Sequence, residues 1–344
     1  MKYVKSPLVL ILVICLASVV AEPRSNTTLL EVVKEINYDN IGKHINTIWN
    51  LGSRVTGYPG FYATAKYVED YFEKLGLQVY KQSFKLAIPL EVEGKLIVEG
   101  IRYPVHVLWP NVVALGNTPP EGVAGQIIYV GKGSLKEFYG KDVKDTIVLM
   151  DFDCGYNWIN AIRLGASAVI FVESDSMLRY DAFSKLVIGA PLDFPRGYVE
   201  KQVIEPVLRK ILSGEKVYGK VILKAGWKQV EAYNIVGILP GESSDDFIVV
   251  SVHYDTWGIV PALPTSLDEA TNIGVLLELA RVLSQKRLKR TLVFVALAGH
   301  WQGLAGAREF VRQFILPKSD EGKRVWMEIG LDLSTDSYGV TLVH

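Results

Sequence analysis

An α/β fold, with a mostly parallel sheet flanked by helices and a second domain inserted into it, is predicted by three observations on this sequence of 344 residues. Apolar runs at Phe247–Val252, Thr291–Ala298 and Ile329–Leu333 lack the alternation of a half-exposed sheet, which marks strands buried on both faces. Between the first two runs lies a helical pattern, with Ile273, Leu276, Leu277, Ala280 and Leu283 on one stripe, read as an amphipathic helix. From about residue 106 to 227 the texture changes to short β-like runs broken by Gly, Pro and Asp, and long apolar strands resume at Asn234–Leu239.

Residues 1–21 read as a secretory signal peptide. Lys2 and Lys5 lead an apolar run that ends in the small-residue site Val19-Val20-Ala21. The alternative is an uncleaved membrane anchor, although the run is shorter than the ~20 residues needed to span. Either reading places the folded part outside the cytoplasm, secreted or anchored by this segment. Cys15 falls within it, so Cys154 has no internal partner for a disulfide and stability rests on core packing. Asn26-Thr27-Thr28 is a glycosylation sequon.

The larger core begins with residues 27–105. Asn40–Trp49 places Ile41, His44, Ile45, Ile48 and Trp49 at helical spacing, and a histidine on such a face is expected to be packed rather than to bind a ligand. Breakers from Gly52 to Gly60 form a loop, followed by a helix with Phe61, Ala65, Val68, Phe72 and Leu75 inward and Gly76 at its end. Leu77–Phe84 is a strand, and Leu90–Val105 a hairpin region with turns at Glu93-Gly94 and Glu99-Gly100. The inserted domain, residues 106–227, has strands at Gln126–Val130 and Thr146–Met150, a helix over Asn157–Gly165 and a strand at Ala168–Val172. Asp151, Asp153 and Cys154 follow a strand, where turns use Asp for backbone reasons. Residues 228–344 return to the core, and Lys286–Arg290 is the cationic end of a helix facing the negative end of its dipole.

The core's buried runs end on polar residues. His253 and Asp255 close the first, His300 and Trp301 follow the second, Asp332 sits in the third, and Asp268 precedes the helix. Ligands of open α/β sheets bind outside the carboxyl ends of strands, so His253, Asp268, His300 and Asp332 are expected to converge in one crevice. Lysine plus arginine and aspartate plus glutamate both number 37. With no net charge, no field favours nucleic acid or an anionic membrane.

These residues resemble the M28 family of metallopeptidases, the co-catalytic zinc aminopeptidases and their relatives, with an inserted protease-associated (PA) domain. Ser53–Leu77 is similar to the family's amino-terminal region, Gly140–Val172 to the PA domain, and Glu231–Gly241 to the return into the peptidase core. The resemblance implies the zinc-dependent exopeptidase (phosphorylase/hydrolase-like) fold. It also implies metal ligands at His253, Asp268 and Asp332, with Asp255 orienting His253. One imidazole and two carboxylates suit zinc and leave a position open. The match departs at the second metal. His300 stands where the family has its general-base glutamate, Trp301 stands at a ligand position it cannot fill, and the late histidine has no counterpart short of His344. Glu269 replaces the family's Asn or Asp.

The implied function is a secreted zinc aminopeptidase with one intact half site, about one zinc per chain, and peptide or protein substrates. His300 would serve as base on the activated water. The alternative is a peptidase fold without catalysis that binds peptides or proteins. Single-zinc glutaminyl cyclase relatives fit less well, because they use the metal position lost here.

Overall fold

The computed structural model describes residues 29–187, 189–264 and 266–333. The expected signal peptide, the Asn26 sequon and His344 lie outside the described residues. In chain order the helices are α1 (Leu29–Lys34), α2 (Tyr38–Asn50) and α3 (Pro59–Lys74), then α4 (Leu135–Phe138), α5 (Trp158–Arg163), α6 (Arg179–Phe183) and α7 (Lys201–Leu212), and finally α8 (Leu267–Leu283), α9 (Ala305–Phe310) and α10 (Leu316–Asp320). The strands are β1 (Gln78–Val98), β2 (Ile101–Pro104), β3 (His106–Val107), β4 (Val123–Tyr129), β5 (Ile147–Asp151), β6 (Ala168–Val172), β7 (Arg196–Val199), β8 (Val217–Leu239), β9 (Ser243–His253), β10 (Arg290–Leu297) and β11 (Arg324–Gly330). The chain divides into two compact units. The first is drawn from residues up to Leu86, from Gln229–Trp257 and from Pro264 onward, and the second from Ala87–Lys228 and Gly258–Leu263.

In the first unit the strand order is β11-β9-β10-β8. β9 runs parallel to β10, with Val249 opposite Val293, and parallel to β11, with Val250 opposite Ile329, whereas β8 is antiparallel to β10. Successive residues of a strand face opposite sides of the sheet. Ile248, Val250 and Val252 therefore pack with Ile41, Ile48, Phe61, Phe72, Ile273 and Leu276, while Phe247 and Val249 pack with Val293, Val295, Phe310 and Phe314. Both faces are covered, which is why Phe247–Val252 reads as a run without polar alternation, broken only by Ser251.

Helix α8 differs from the amphipathic reading. Val275, Leu279 and Val282 are buried as well as the predicted stripe, so it is buried all round. Its polar Glu278 is 1% exposed and is held by Arg281 at 2.7 Å and by the Asn37 N–H at 2.6 Å. Asn37 caps α2, accepting from the N–H groups of Asp39 and Asn40 at 2.9 and 3.3 Å. His44 is buried against Tyr71, with Nδ1 2.6 Å from the Tyr67 hydroxyl, a packed histidine.

In the second unit, β4, β5, β6 and β7 are parallel, bordered by antiparallel β8 and β3. The unit starts at Ala87 rather than at 106, because Leu96, Val98, Val105 and Val107 belong to its core beside Ile127, Leu149 and Ile170. Residues 258–263 join it through a hydrogen bond from the Trp109 N–H to the Ile259 carbonyl at 2.7 Å. Glu99-Gly100 is a turn with both residues at positive φ, as expected, but Glu93-Gly94 lies inside β1. Gly94 is there for close approach. A Cβ on it would sit 1.8 Å from the Val105 carbonyl oxygen, to whose N–H Gly94 gives its own carbonyl at 3.2 Å. The Asp151–Asp153 turn is structural, with Asp151 accepting from Tyr129 and Asp153 from Lys132 and Ser174.

A histidine in this unit makes its stability depend on pH. His106 Nδ1 faces Glu91 Oε1 at 3.4 Å, and the Glu91 contact raises the imidazole above its usual value of 6.5 against the opposing effect of burial. The stabilisation is complete below that unfolded value and is lost as pH climbs through the higher folded one. Between about pH 6 and pH 9, the wild-type chain should lose up to about 1 kcal/mol more stability than His106→Gln, measured by urea titration at each pH. Parallel profiles for the two proteins would reject the coupling.

Candidate functional site

Strand β9 delivers His253 to the carboxyl end of the parallel strands in the first unit. The imidazole is 8% exposed, and its Nδ1 lies 3.1 Å from the Asp255 carbonyl oxygen. A carbonyl can only accept, so Nδ1 carries the proton and Nε2 keeps its lone pair for a ligand. Burial holds the His253 pKa below its usual value, partly offset by that hydrogen bond and by Asp332. His300 stacks on His253, with centroids 3.9 Å apart and planes 18° apart. Its pKa is also lowered, first by burial and then by His253, against the pull of Asp332 and Glu269.

The loop carrying His300 is held at both ends. Asp255, fully buried, accepts the His300 N–H on both carboxylate oxygens, at 3.2 and 3.0 Å. Beyond His300, the Gly306 N–H bonds the Ala298 carbonyl at 3.0 Å. Asn234 then bridges the two sides, accepting from the Ala298 N–H at 3.0 Å and donating to the Gly306 carbonyl at 2.8 Å. A Cβ on Gly306 would lie 2.0 Å from the Ala298 oxygen, so only glycine closes the loop. Asp255 orients His253 through its backbone carbonyl, while its carboxylate positions the His300 loop with help from Thr56 at 3.4 Å. Burial drives the Asp255 carboxyl up to about 7, against the donors that favour its charge. Arg54, also buried, is lowered to about 10 by burial, with Glu269 and Asp255 opposing, and it donates to the Ser266 carbonyl at 2.6 Å.

The acids at this end of the sheet are arranged differently from the expectation. Asp268 sits within the first turn of α8 rather than on the loop before it, and it is half-buried while Glu269 is 6% exposed. Neighbouring residues of a helix point about 100° apart, so the phase of α8 turns Glu269 inward in place of Asp268. Glu269 Oε2 and Asn272 Nδ2 are buried with no hydrogen-bond partner among the described residues, and burial raises the Glu269 pKa. Asp332 lies just past β11 with its side chain exposed, and the next N–H, of Leu333, is held by Asn272 Oδ1 at 2.8 Å. Asp332 is near enough to bias both imidazoles. Among the described residues, no group of three or more His, Cys, Asp or Glu side chains is spaced to hold a metal ion. The expected trio of His253, Asp268 and Asp332 suits zinc by donor type, with His253 buried, Asp268 half-buried and Asp332 exposed.

Sequence reasoning passed over Asn234, Asn272, Thr56 and Arg54. Asn234 and Asn272 were visible as polar residues inside apolar runs, where such a residue is retained if it satisfies groups that nothing else reaches, whereas Arg54 and Thr56 lie in the loop Gly52–Gly60 and carried no such signal.

Residues 234–342 match the family model described as Peptidase family M28. Over 293 residues the chain is 27% identical to Aminopeptidase YwaD of Bacillus subtilis, covering 84% of this chain and 60% of that protein. Over 91 residues it is 35% identical to a probable zinc metalloprotease of Pyrenophora tritici-repentis, covering 25% of this chain and 21% of that one. A solved zinc aminopeptidase from Bacillus subtilis superposes with a TM-score of 0.57 at 22% identity, over 86% of this chain and 69% of the other, and so shares the fold. The chain thus spans only 60% of the length of the Bacillus relative it matches. The stretch 234–342 is similar to peptidase family M28, and the chain shares its fold with a solved zinc aminopeptidase.

Proposed function

We propose that the chain is an extracytoplasmic zinc aminopeptidase that hydrolyses amino-terminal peptide bonds with a single metal ion. The observation that carries this is His253, a neutral imidazole at a parallel strand's carboxyl end whose Nε2 is left open by the Nδ1 bond to Asp255. His253, with Asp332 and Asp268, would hold the ion, which when bound supplies Lewis-acid polarisation of the scissile carbonyl and a more acidic water. The chain's own part is to place His300 as a proton acceptor. Its pKa is lowered by burial and then by His253, and its backbone is pinned by Asp255. Asp332 and Glu269 would draw the ammonium of the substrate to the imidazoles. The second unit is read as a PA domain on the likeness of Gly140–Val172, and the extracytoplasmic location on residues 1–21. No helix among the described residues is long and apolar enough to cross a membrane.

A second reading, a non-catalytic peptide-binding module, is favoured by Trp301 at a ligand position and by the absence of a ligand cage among the described residues. Elemental analysis with an aminoacyl p-nitroanilide assay separates the two. About one zinc per chain and hydrolysis that a chelator stops and zinc restores are expected for the peptidase. Well-folded protein that takes up no zinc and cleaves nothing leaves the binding module.

A further inference from the structure

We propose that Trp257, Trp301 and the stacked His253–His300 pair form a subsite for an aromatic first residue of a peptide. This rests on the aminopeptidase reading of the same site and adds to it the side chain accepted. The Trp257 and Trp301 rings lie 6.2 Å apart with planes at 40°, so they open as a wedge rather than stack. Trp301 stands at 85° to His253 and 71° to His300, with centroids at 6.3 and 5.3 Å. Four rings thus border one corner at the spacings aromatic side chains adopt with one another, and a fifth ring entering it would meet edges and faces in the geometry such pairs favour. Trp301 is 39% exposed on a loop pinned by Asp255 and Asn234, so a large apolar surface is held rigidly open beside the open Nε2 of His253.

Charge selects the end of the peptide. Asp332, exposed just past β11, acts on both imidazoles against the effect of burial, so a carboxylate lies within electrostatic reach of the corner. An ammonium complements that field, whereas an acetylated terminus or a carboxylate does not. The group that combines a flat apolar ring with a neighbouring ammonium is a free amino terminus bearing Phe, Tyr or Trp.

The test is calorimetric titration of the full chain with phenylalanine amide, alanine amide and N-acetyl-phenylalanine amide, alongside hydrolysis of the Phe and Ala p-nitroanilides. Wild-type protein should bind phenylalanine amide about 10- to 100-fold tighter than alanine amide. Acetylation should weaken binding at least about tenfold. Trp301→Ala should reduce the Phe/Ala ratio to a few-fold, and Trp301→Phe should restore most of it, with Tm reported for each variant. If Trp301→Ala does not fold, Trp301→Phe and Trp257→Phe carry the comparison through smaller decreases in the same ratio. Equal affinity for the Phe and Ala amides in folded wild-type protein overturns the subsite, whether or not hydrolysis occurs. Aromatic preference in binding without hydrolysis upholds the subsite and overturns only the peptidase reading. Hydrolysis that ignores the first side chain does the reverse.

Discussion

His253→Ala is expected to cost at least about a thousandfold in kcat/KM and to remove bound zinc, while leaving the fold intact. His253 is the imidazole donor of the proposed metal set, and its Nε2 is left free by the bond from Nδ1 to the Asp255 carbonyl. Without that imidazole only two carboxylates remain of the proposed ligand set, and the ion they would hold supplies several kcal/mol of transition-state stabilisation when bound. The loss in stability should be modest. The ring is stacked on His300 and 8% exposed, so truncation removes a contact at the edge of the site rather than a keystone of the core. The measurement is zinc content, Tm and steady-state kinetics on the same preparation. Wild-type zinc content in the variant would show that the metal is held elsewhere, and unchanged hydrolysis would remove His253 from the mechanism.

Asn234→Ala is expected to lower stability by about 3 kcal/mol, which for a chain of this size is a fall in Tm of about 6–12 °C. The side chain is fully buried and makes three contacts, with the Ala298 N–H, the Gly306 carbonyl and Gln82 Oε1, the last at 2.7 Å. Alanine leaves those groups dry and unpaired, and a buried unpaired amide costs more than the bond itself contributed. The damage should extend to function, because the two backbone groups are the ends of the loop that presents His300 and Trp301. Binding of aromatic amides should weaken even where residual folded protein remains. Asn234→Asp should also be destabilised. It keeps an acceptor for Ala298 but loses the donor to Gly306 and buries a charge. A Tm within about 1 °C of wild type for Asn234→Ala would show that the loop is held by its other contacts alone.

The site was partly legible in the residues. His253, Asp268, His300 and Asp332 were expected in one crevice, His253 and His300 because each follows a mostly apolar run, and a parallel strand covered on both faces announces itself by that lack of alternation. Asp255 was identified as the residue that orients His253, but the route was not: its carbonyl rather than its carboxylate makes the contact, and nothing in a His-x-Asp spacing distinguishes the two. Asp268 was placed on a loop because helix starts are uncertain by a residue or two, and that uncertainty is about a hundred degrees of direction. One residue of phase decides that Glu269 is the buried acid. Gly94 looked like a turn because glycine serves turns and close backbone approach equally well, and only its partner, Val105, says which.

The third expected run, Ile329–Leu333, overlaps only the end of β11, whose residues alternate between exposed and half-buried. What the residues determined by themselves is the central pair of strands, β9 and β10, covered on both faces, with His253 and His300 at their carboxyl ends. These are local properties, carried by hydrophobic pattern along the chain. Tertiary structure decided the rest. It stacked one imidazole on the other, buried α8 on every side, drew residues 87–105 into the second unit's core, and made Asn234 the clasp of the loop after β10. Each of these depends on groups far apart in the chain meeting at distances of a few ångströms, and the requirement that buried polar atoms find partners acts only once the fold has brought them together.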